Sequence, residues 1–298
     1  MATTAEGSQA RARTVPTRMF DGTRPLKRWR YVGIFCEQFM ACAAIVHVGP
    51  LKQSFWAFYE RAGGELRERT RMVPRSRELE LGPRRVCLLD RGVALDLELE
   101  EEPGIETLCP HGRGMVWTHK QAGVAARGQL ALDGGPPQRV QARAVIDDTA
   151  GHHSRRTEWH WSAGVGEGPD GTPLAWNLVS GVNDPPQGSE RAVWMREVPG
   201  ADAVEEAGAA SGPGARAGAP PAIAETPPVS FAEDLSWVRC VDGSELHFRA
   251  EAQRRRSDNL VLLASDYQAP FGSFSGALPG HVPLAHGLGV MEHHRARW

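Results

Sequence analysis

Along most of this chain apolar and polar residues alternate with a period of two, and stretches with a helical period are nearly absent. VALDLELE is the clearest case. Val93, Leu95, Leu97 and Leu99 project to one side and Asp96, Glu98 and Glu100 to the other, which predicts a strand with one buried and one solvated face. RWRYVGIF, ACAAIVHVG, SFWAFYE, RRVCLLD and MVWTHK have the same character, with DRG and HGRG as tight connections between neighbours. In the second half, EWHWSAGVGEGPDGTPLAWNLVSG reads as two strands about Asp170-Gly171. LSWVRCVDGSELHFRAEA reads as a hairpin about Asp242-Gly243, with Leu246, Phe248, Ala250 and Ala252 as its apolar row. NLVLLASDY and GLGVMEHHRARW supply late strands.

So many strands must close on themselves or pair their edges. The expectation is an all-β protein of two consecutive antiparallel barrels or half-barrels, residues 25–145 and 146–298, with a single curved sandwich as the competing geometry. Residues 1–24 read as a disordered tail. Residues 197–228, rich in Ala, Gly, Pro and Glu and without an aromatic residue, read as a disordered insertion that buries too little to offset its ordering entropy.

Composition removes several classes of function. With 34 basic against 36 acidic residues the formal net charge is −2, so there is no electrostatic case for nucleic acid or an anionic membrane as partner. Five cysteines, odd in number and without a C-x-x-C pair, suit reduced thiols rather than a disulfide framework or a zinc knuckle. The N-terminal stretch lacks the apolar core of a secretory signal, and the longest apolar run, FMACAAIVHVG, is too short for a bilayer. A cytoplasmic protein is expected. Phosphate-cradling loops, dinucleotide fingerprints and nucleophile elbows are missing, so no cofactor is expected.

Candidate chemistry concentrates in DDTAGHHSRRTEWHWSAG, residues 147–164. His152 and His153 are adjacent, so an extended chain sends them to opposite faces, which argues against one shared ion; no metal ligand is assigned. Over residues 156–161, Arg156, Glu158 and His160 share one face, while Thr157, Trp159 and Trp161 share the other. Glu158 and His160 would form an acid–base dyad or, with Arg156, a structural charge ladder. Asp147 and Asp148 would sit in a turn, or share a proton. In AWNLVSGVNDPPQGSERAVW, Trp176 and Asn177 face opposite ways, and Glu190 and Arg191 open a strand where either would reach a ligand or cap the hairpin. In VMEHHRARW, Glu292 and His294 share a face.

RWRYVGIF, AVIDDTAGHHSRRTEWHWSAGVG, AWNLVSGVNDPPQGSERAVW and PFGSFSGALPG…GLGVMEHHRARW resemble a widespread bacterial family of unknown function, over roughly residues 25–298 outside the low-complexity segment. More distantly, the layout is similar to the calycin-like group that holds carotenoid hydratases and tocopherol cyclases. There a His/Asp/Trp/Gly phrase opens a second barrel; GHHSRRTEWHWSAG is the comparable phrase here, without reproducing that motif letter for letter. The resemblance implies lipocalin-like barrels and an apolar cavity for a lipid-like or isoprenoid small molecule, carried or transformed by hydration or cyclisation. In that reading Asp147 or His152 donates the proton, and Glu158 and His160 support it. Trp159, Trp161 and Trp176 shield a cation, and Arg156, Asn177, Glu190, Arg191, Glu292 and His294 contact the ligand. A non-catalytic binding or scaffold protein is the alternative, and a metal-dependent hydrolase the third. Neither enzymatic status nor oligomeric state is decided by the sequence.

Overall fold

A computed structural model describes residues 15–75, 77–197, 220–260 and 263–297. No helix occurs among them; the alternating segments are all strands. A two-stranded ribbon, β1 (Phe20–Asp21) and β2 (Arg24–Pro25), opens the chain. A first sheet follows, made of β3 (Lys27–Phe35), β4 (Phe39–Val48), β5 (Leu51–Glu60), β6 (Glu65–Arg71), β7 (Leu79–Gly82), β8 (Arg85–Asp90), β9 (Val93–Leu99), β10 (Ile105–His111), β11 (Gly114–Leu132) and β12 (Gln138–Gly151). The chain crosses to the second sheet at residues 152–155, beyond the 145/146 boundary read from the pattern. That sheet begins with β13 (Arg156–Glu167), β14 (Pro173–Ser180), β15 (Ala192–Met195), β16 (Ala222–Glu225), β17 (Val229–Phe231) and β18 (Trp237–Cys240). It continues with β19 (Glu245–Ala252), β20 (Arg255–Leu260), β21 (Leu263–Gln268), β22 (Phe271–Leu278) and β23 (Val282–Arg297).

All pairings are antiparallel, and the two sheets have the same plan. The first runs β6-β5-β4-β3-β12-β11-β9-β8-β7, with β10 also on β11; the second runs β16-β15-β14-β13-β23-β22-β19-β18-β17, with β21 and β20 added beside β23. In each, the first long strand pairs with the last (β3 with β12, β13 with β23). The single strand β11 bends at a bulge between Ala122 and Val124, where Gly123 adopts φ +78°, and serves β10 before the bulge and β9 after it. Its counterpart is split in two: β21 and β22 are separate strands, parted at Ala269–Pro270.

Each sheet curls into a half-barrel. In the first, residues near opposite edges are joined by side chains: Arg69 pairs with Asp90 at 2.6 Å, Arg67 with Asp133 at 2.8 Å, and Arg71 with Glu78. These charged links occupy edges that would otherwise recruit another strand. VALDLELE forms β9 as expected, with Val93, Leu95, Leu97 and Leu99 buried in the first half-barrel beside Ile34, Phe39 and Trp56. The second half-barrel encloses Trp176, Leu178, Leu246, Phe274 and Met291. A third core lies between the sheets and draws on both, with Tyr31, Phe35 and Tyr59 from one meeting Trp161, Phe271 and Val290 from the other.

Two expectations of disorder change. Residues 1–14 and 198–219 lie outside the described residues, but the rest of both segments has defined structure. Phe20–Asp21 pairs with Arg24–Pro25. Ala222–Glu225 adds strand β16 to the edge of β15, and Glu225 accepts the Ser189 backbone N–H at 2.9 Å. Backbone pairing supplies there what the side chains, too small for a core, do not. Asp147 and Asp148 also leave their expected turn, since β12 continues through them to Gly151.

Candidate functional site

The register of the two sheets builds a cavity between them. Directly paired residues share a face, so rows of side chains follow from the pairing alone. Lys120, Asp147, Tyr31, Ala44 and Phe55 form one row across β11, β12, β3, β4 and β5; Thr118, Thr149, Trp29, Val46 and Gln53 form the next. From the second sheet, Val179, Trp161 and Glu292 form a row across β14, β13 and β23, and Trp159, His294 and Tyr267 form another across β13, β23 and β21. All of these side chains line one cavity of about 220 Å³. That exceeds the ~150 Å³ that accepts a benzene ring and falls short of the ~300–1,000 Å³ usual for drug-sized ligands. Leu51 and Met72, both exposed, form an apolar lip.

At one end lies a buried ion cluster. Lys120 Nζ is 2.7 Å from Asp147 Oδ1 and 3.3 Å from Glu190 Oε1. Asp147 also accepts from Trp29 Nε1 at 2.9 Å and Thr149 Oγ1 at 2.8 Å, and Glu190 Oε2 accepts from Asn183 Nδ2 at 3.2 Å. Burial works against the Lys120 charge, yet the two carboxylates hold its pKa above the usual lysine value. Burial raises the Glu190 pKa, with Lys120 opposing. Asn177 ties this cluster to the ring beside it, accepting Trp161 Nε1 at 2.7 Å and donating to the Glu190 carbonyl at 2.8 Å.

On the facing sheet, Glu292 accepts Trp159 Nε1 at 2.8 Å through Oε1. Burial pushes its pKa up to about 7, only partly offset by that bond and by Arg254. The carboxyl is therefore part neutral, part ionised at physiological pH. His294 packs tilted against Trp159, ring centroids 4.2 Å apart, and is 2.8 Å from the Ser265 hydroxyl; burial, with His293 nearby, takes its pKa down to about 3, so it is neutral. The Arg254 guanidinium lies 5.0 Å from the rings of both Phe55 and Tyr267 and donates to Glu68 at 2.9 Å.

Of the residues singled out in the sequence, Asp147, Trp159, Trp161, Glu190, Glu292 and His294 meet in this cavity, with Asn177 directly behind it. The odd-numbered face of 156–161 is the one that looks inward. Arg156 and Glu158 are exposed on the other face, and the expected Glu158–His160 dyad does not form. Glu158 instead bonds Arg295, its partner across the ladder on β23, at 2.8 Å and the diagonal His293 at 2.8 Å, whereas His160 stacks on its own partner His293 at 4.2 Å. Asp148 points away from Asp147 to Arg30 at 2.6 Å, so the two carboxylates do not share a proton. His152 bonds the Arg18 carbonyl at 2.9 Å outside the cavity. Trp176 fills the second half-barrel, donating to Ser162 at 3.0 Å. Arg191 is buried against the carbonyls of Asp184, Pro185 and Pro227, at 2.9, 2.7 and 3.0 Å, and so clamps NDPP to the start of β17.

Sequence reasoning missed Lys120, Tyr31, Trp29, Arg254 and Tyr267, and set His153 aside with the metal reading. One signal was available: Val116, Thr118 and Lys120 alternate on one face of MVWTHK, which puts a lysine on a row that starts apolar. Among the described residues, no three His, Cys, Asp or Glu side chains are grouped as a metal site requires. Nor is any helix there long and apolar enough to cross a membrane.

Paired antiparallel half-barrels with an aromatic cavity between them define a lipocalin-like all-β protein. Residues 75–198 carry the family match, to the domain of unknown function DUF2804. A search of curated proteins finds no match. Among solved structures, the chain is similar to a candidate AttH from Nitrosomonas europaea, at 12% identity and TM-score 0.54, covering 95% of this chain and 98% of that one. It is also similar to kievitone hydratase from Nectria haematococca, again at 12% identity and TM-score 0.54, covering 90% and 88%. At such identity the likeness concerns the fold.

Proposed function

We propose that the protein binds an apolar, unsaturated small molecule between its half-barrels and acts on it by redox-neutral acid–base chemistry, a hydration or a cyclisation. The observation that carries this reading is Glu292, a carboxyl with a pKa near 7 on the wall of an aromatic cavity. It takes the donor role that the sequence suggested for Asp147 or His152. The oxygens of Asp147 already accept three bonds, and His152 is not at the cavity. Glu292 delivers its proton to a carbon–carbon double bond. The resulting cation is held among the faces of Trp159, Trp161 and Tyr31, where the ring quadrupoles favour positive charge. Water, or a second double bond of the same molecule, closes on the cation, and the proton lost returns to the Glu292 carboxylate.

N-phenyl-1-naphthylamine tests the cavity. Wild type is expected to bind it with enhanced fluorescence, and Val46→Trp, which fills the space, to lose that binding; equal binding by both would place the ligand elsewhere. For the chemistry, apolar compounds extracted with the protein are incubated with it in D2O. Wild type is expected to incorporate deuterium, and Glu292→Gln to bind without incorporation. Binding with no incorporation by wild type would leave a carrier, the non-catalytic reading.

A further inference from the structure

The corner of the cavity around Tyr267 holds a surplus of hydrogen-bond donors. The Tyr267 hydroxyl is buried and has no hydrogen-bond partner among the described residues, although its side chain lines the cavity. Arg254 lies against that ring with its guanidinium carbon 5.0 Å from the centroid, and donates from Nε to Glu68 and from Nη1 to Cys42. Glu292 in its neutral form brings a further O–H, and only its Oε1 is engaged, by Trp159. A buried hydroxyl left without a partner is costly, so native structures keep few of them, and this one belongs to a side chain on the cavity wall.

We infer that the Tyr267 corner is an oxygen-binding subsite, and that the ligand is an apolar molecule bearing a neutral acceptor oxygen, a ketone or aldehyde carbonyl, which accepts a hydrogen bond from the Tyr267 hydroxyl. This rests on the reading of the cavity as a ligand site and names the class of ligand. A carboxylate fits less well. Arg254 is already neutralised by Glu68 at 2.9 Å, and a second anion would lie close to Glu292 and Glu68. The carbonyl has a further consequence for the proposed chemistry. If it is conjugated to the double bond, its oxygen gains electron density as water adds at the β-carbon and gives up a proton to the Glu292 carboxylate, and the Tyr267 hydroxyl stabilises that charge until Glu292 returns the proton to the α-carbon. The elements of water are added across the double bond and nothing is oxidised.

Three naphthalenes of nearly equal shape provide the test: 2-acetylnaphthalene, 2-isopropenylnaphthalene (its hydrocarbon isostere) and 2-naphthoate, titrated calorimetrically against the full chain. Wild type is expected to bind the ketone about tenfold more tightly than the hydrocarbon, the worth of one buried hydrogen bond. Tyr267→Phe is expected to bring the two together by weakening the ketone alone. It should melt no lower than wild type in the absence of ligand, because the hydroxyl it loses has no partner. No preference in wild type, or a preference that survives in Tyr267→Phe, would overturn the subsite while leaving the cavity reading intact. Tighter binding of the naphthoate than the ketone would replace the neutral oxygen with an anion and overturn the ligand class. If none of the three binds, the cavity reading falls with it.

Discussion

A carboxyl group that leaves water on folding records the cost in its protonation equilibrium, and Glu292 is the clearest instance in this molecule. Its pKa rises from an ordinary 4.5 to about 7 through burial. Below pH 4.5 the group is neutral whether the chain is folded or not, and nothing is lost. Between 4.5 and 7 the native state holds a proton that the unfolded state has released, so stability falls as pH rises, by roughly 3 kcal/mol once both forms are ionised. Glu292→Gln removes this dependence. Melting curves at pH 5 and pH 8 are expected to show the variant gaining on wild type at pH 8 and little changed at pH 5; a gain that is equal at both would contradict the assignment. His294 acts with the opposite sign, because a histidine kept neutral down to about pH 3 loses stability as pH falls below 6.5. That Glu292 and His294 share a face was readable from the period of two in MEHHRAR. Which face of 156–161 looks inward was not, because Arg156, Glu158 and His160 suit a polar ligand wall and Thr157 with two tryptophans an apolar one. The packing partner decides it, and Tyr31, which packs edge-on against Trp161 at 5.3 Å, is far away in sequence.

Among the strands, β13 shows how small residues set a site. Its even positions Ser162, Gly164 and Gly166 turn into the second half-barrel while Trp159 and Trp161 turn to the cavity. Gly164 leaves room for Trp176: a Cβ there would lie 2.4 Å from the Trp176 ring and 2.6 Å from the Leu288 carbonyl. Gly287 on β23 faces the same ring, at 2.9 Å. Gly164→Ala is therefore expected to cost about 1–3 kcal/mol in urea denaturation, the usual price of overpacking, and to shift the Trp176 contribution to near-ultraviolet circular dichroism. Loss of stability without that spectral change would mean that the backbone contact dominates. At this scale the sequence was legible where one face of a strand meets solvent, as in β9. Where both faces are buried, as through most of β4 and β14, a strand was still expected, but the pattern did not show which face meets which core. Arg191 misled for a related reason. A charge beside NDPP suggests a ligand contact or a surface cap, and nothing local shows that loop carbonyls from two segments close over its guanidinium.

In the whole molecule, the repeated strand order explains why the cavity lies between the half-barrels. Each half-barrel fills its own concave side with Leu, Val, Phe and Trp. The long strands β11, β12, β13 and β23 are then left with a second apolar face, and the two halves bury those faces against each other. The packing is incomplete where Lys120, Asp147, Glu190 and Glu292 interrupt it, and that is where the cavity opens. Two consecutive β units were visible in the spacing of turns, but a shared core between them leaves no local signature, since its contacts join residues more than a hundred positions apart, Tyr31 with Trp161 and Phe35 with Phe271. This core bears on stability. If residues 27–151 and 156–297 were independent, each would expose an apolar face on its own; because the faces are joined, the chain is expected to unfold in one step. Urea titrations followed by far-ultraviolet circular dichroism and by tryptophan fluorescence should coincide, with a single midpoint. Trp161→Ala, which removes the ring that Tyr31 and Asn177 hold at the junction, should lower that midpoint in both signals together, by about 3–5 kcal/mol in stability. Two separated transitions, with only one of them moved by the substitution, would show that the halves stand alone and that the cavity joins two independent domains.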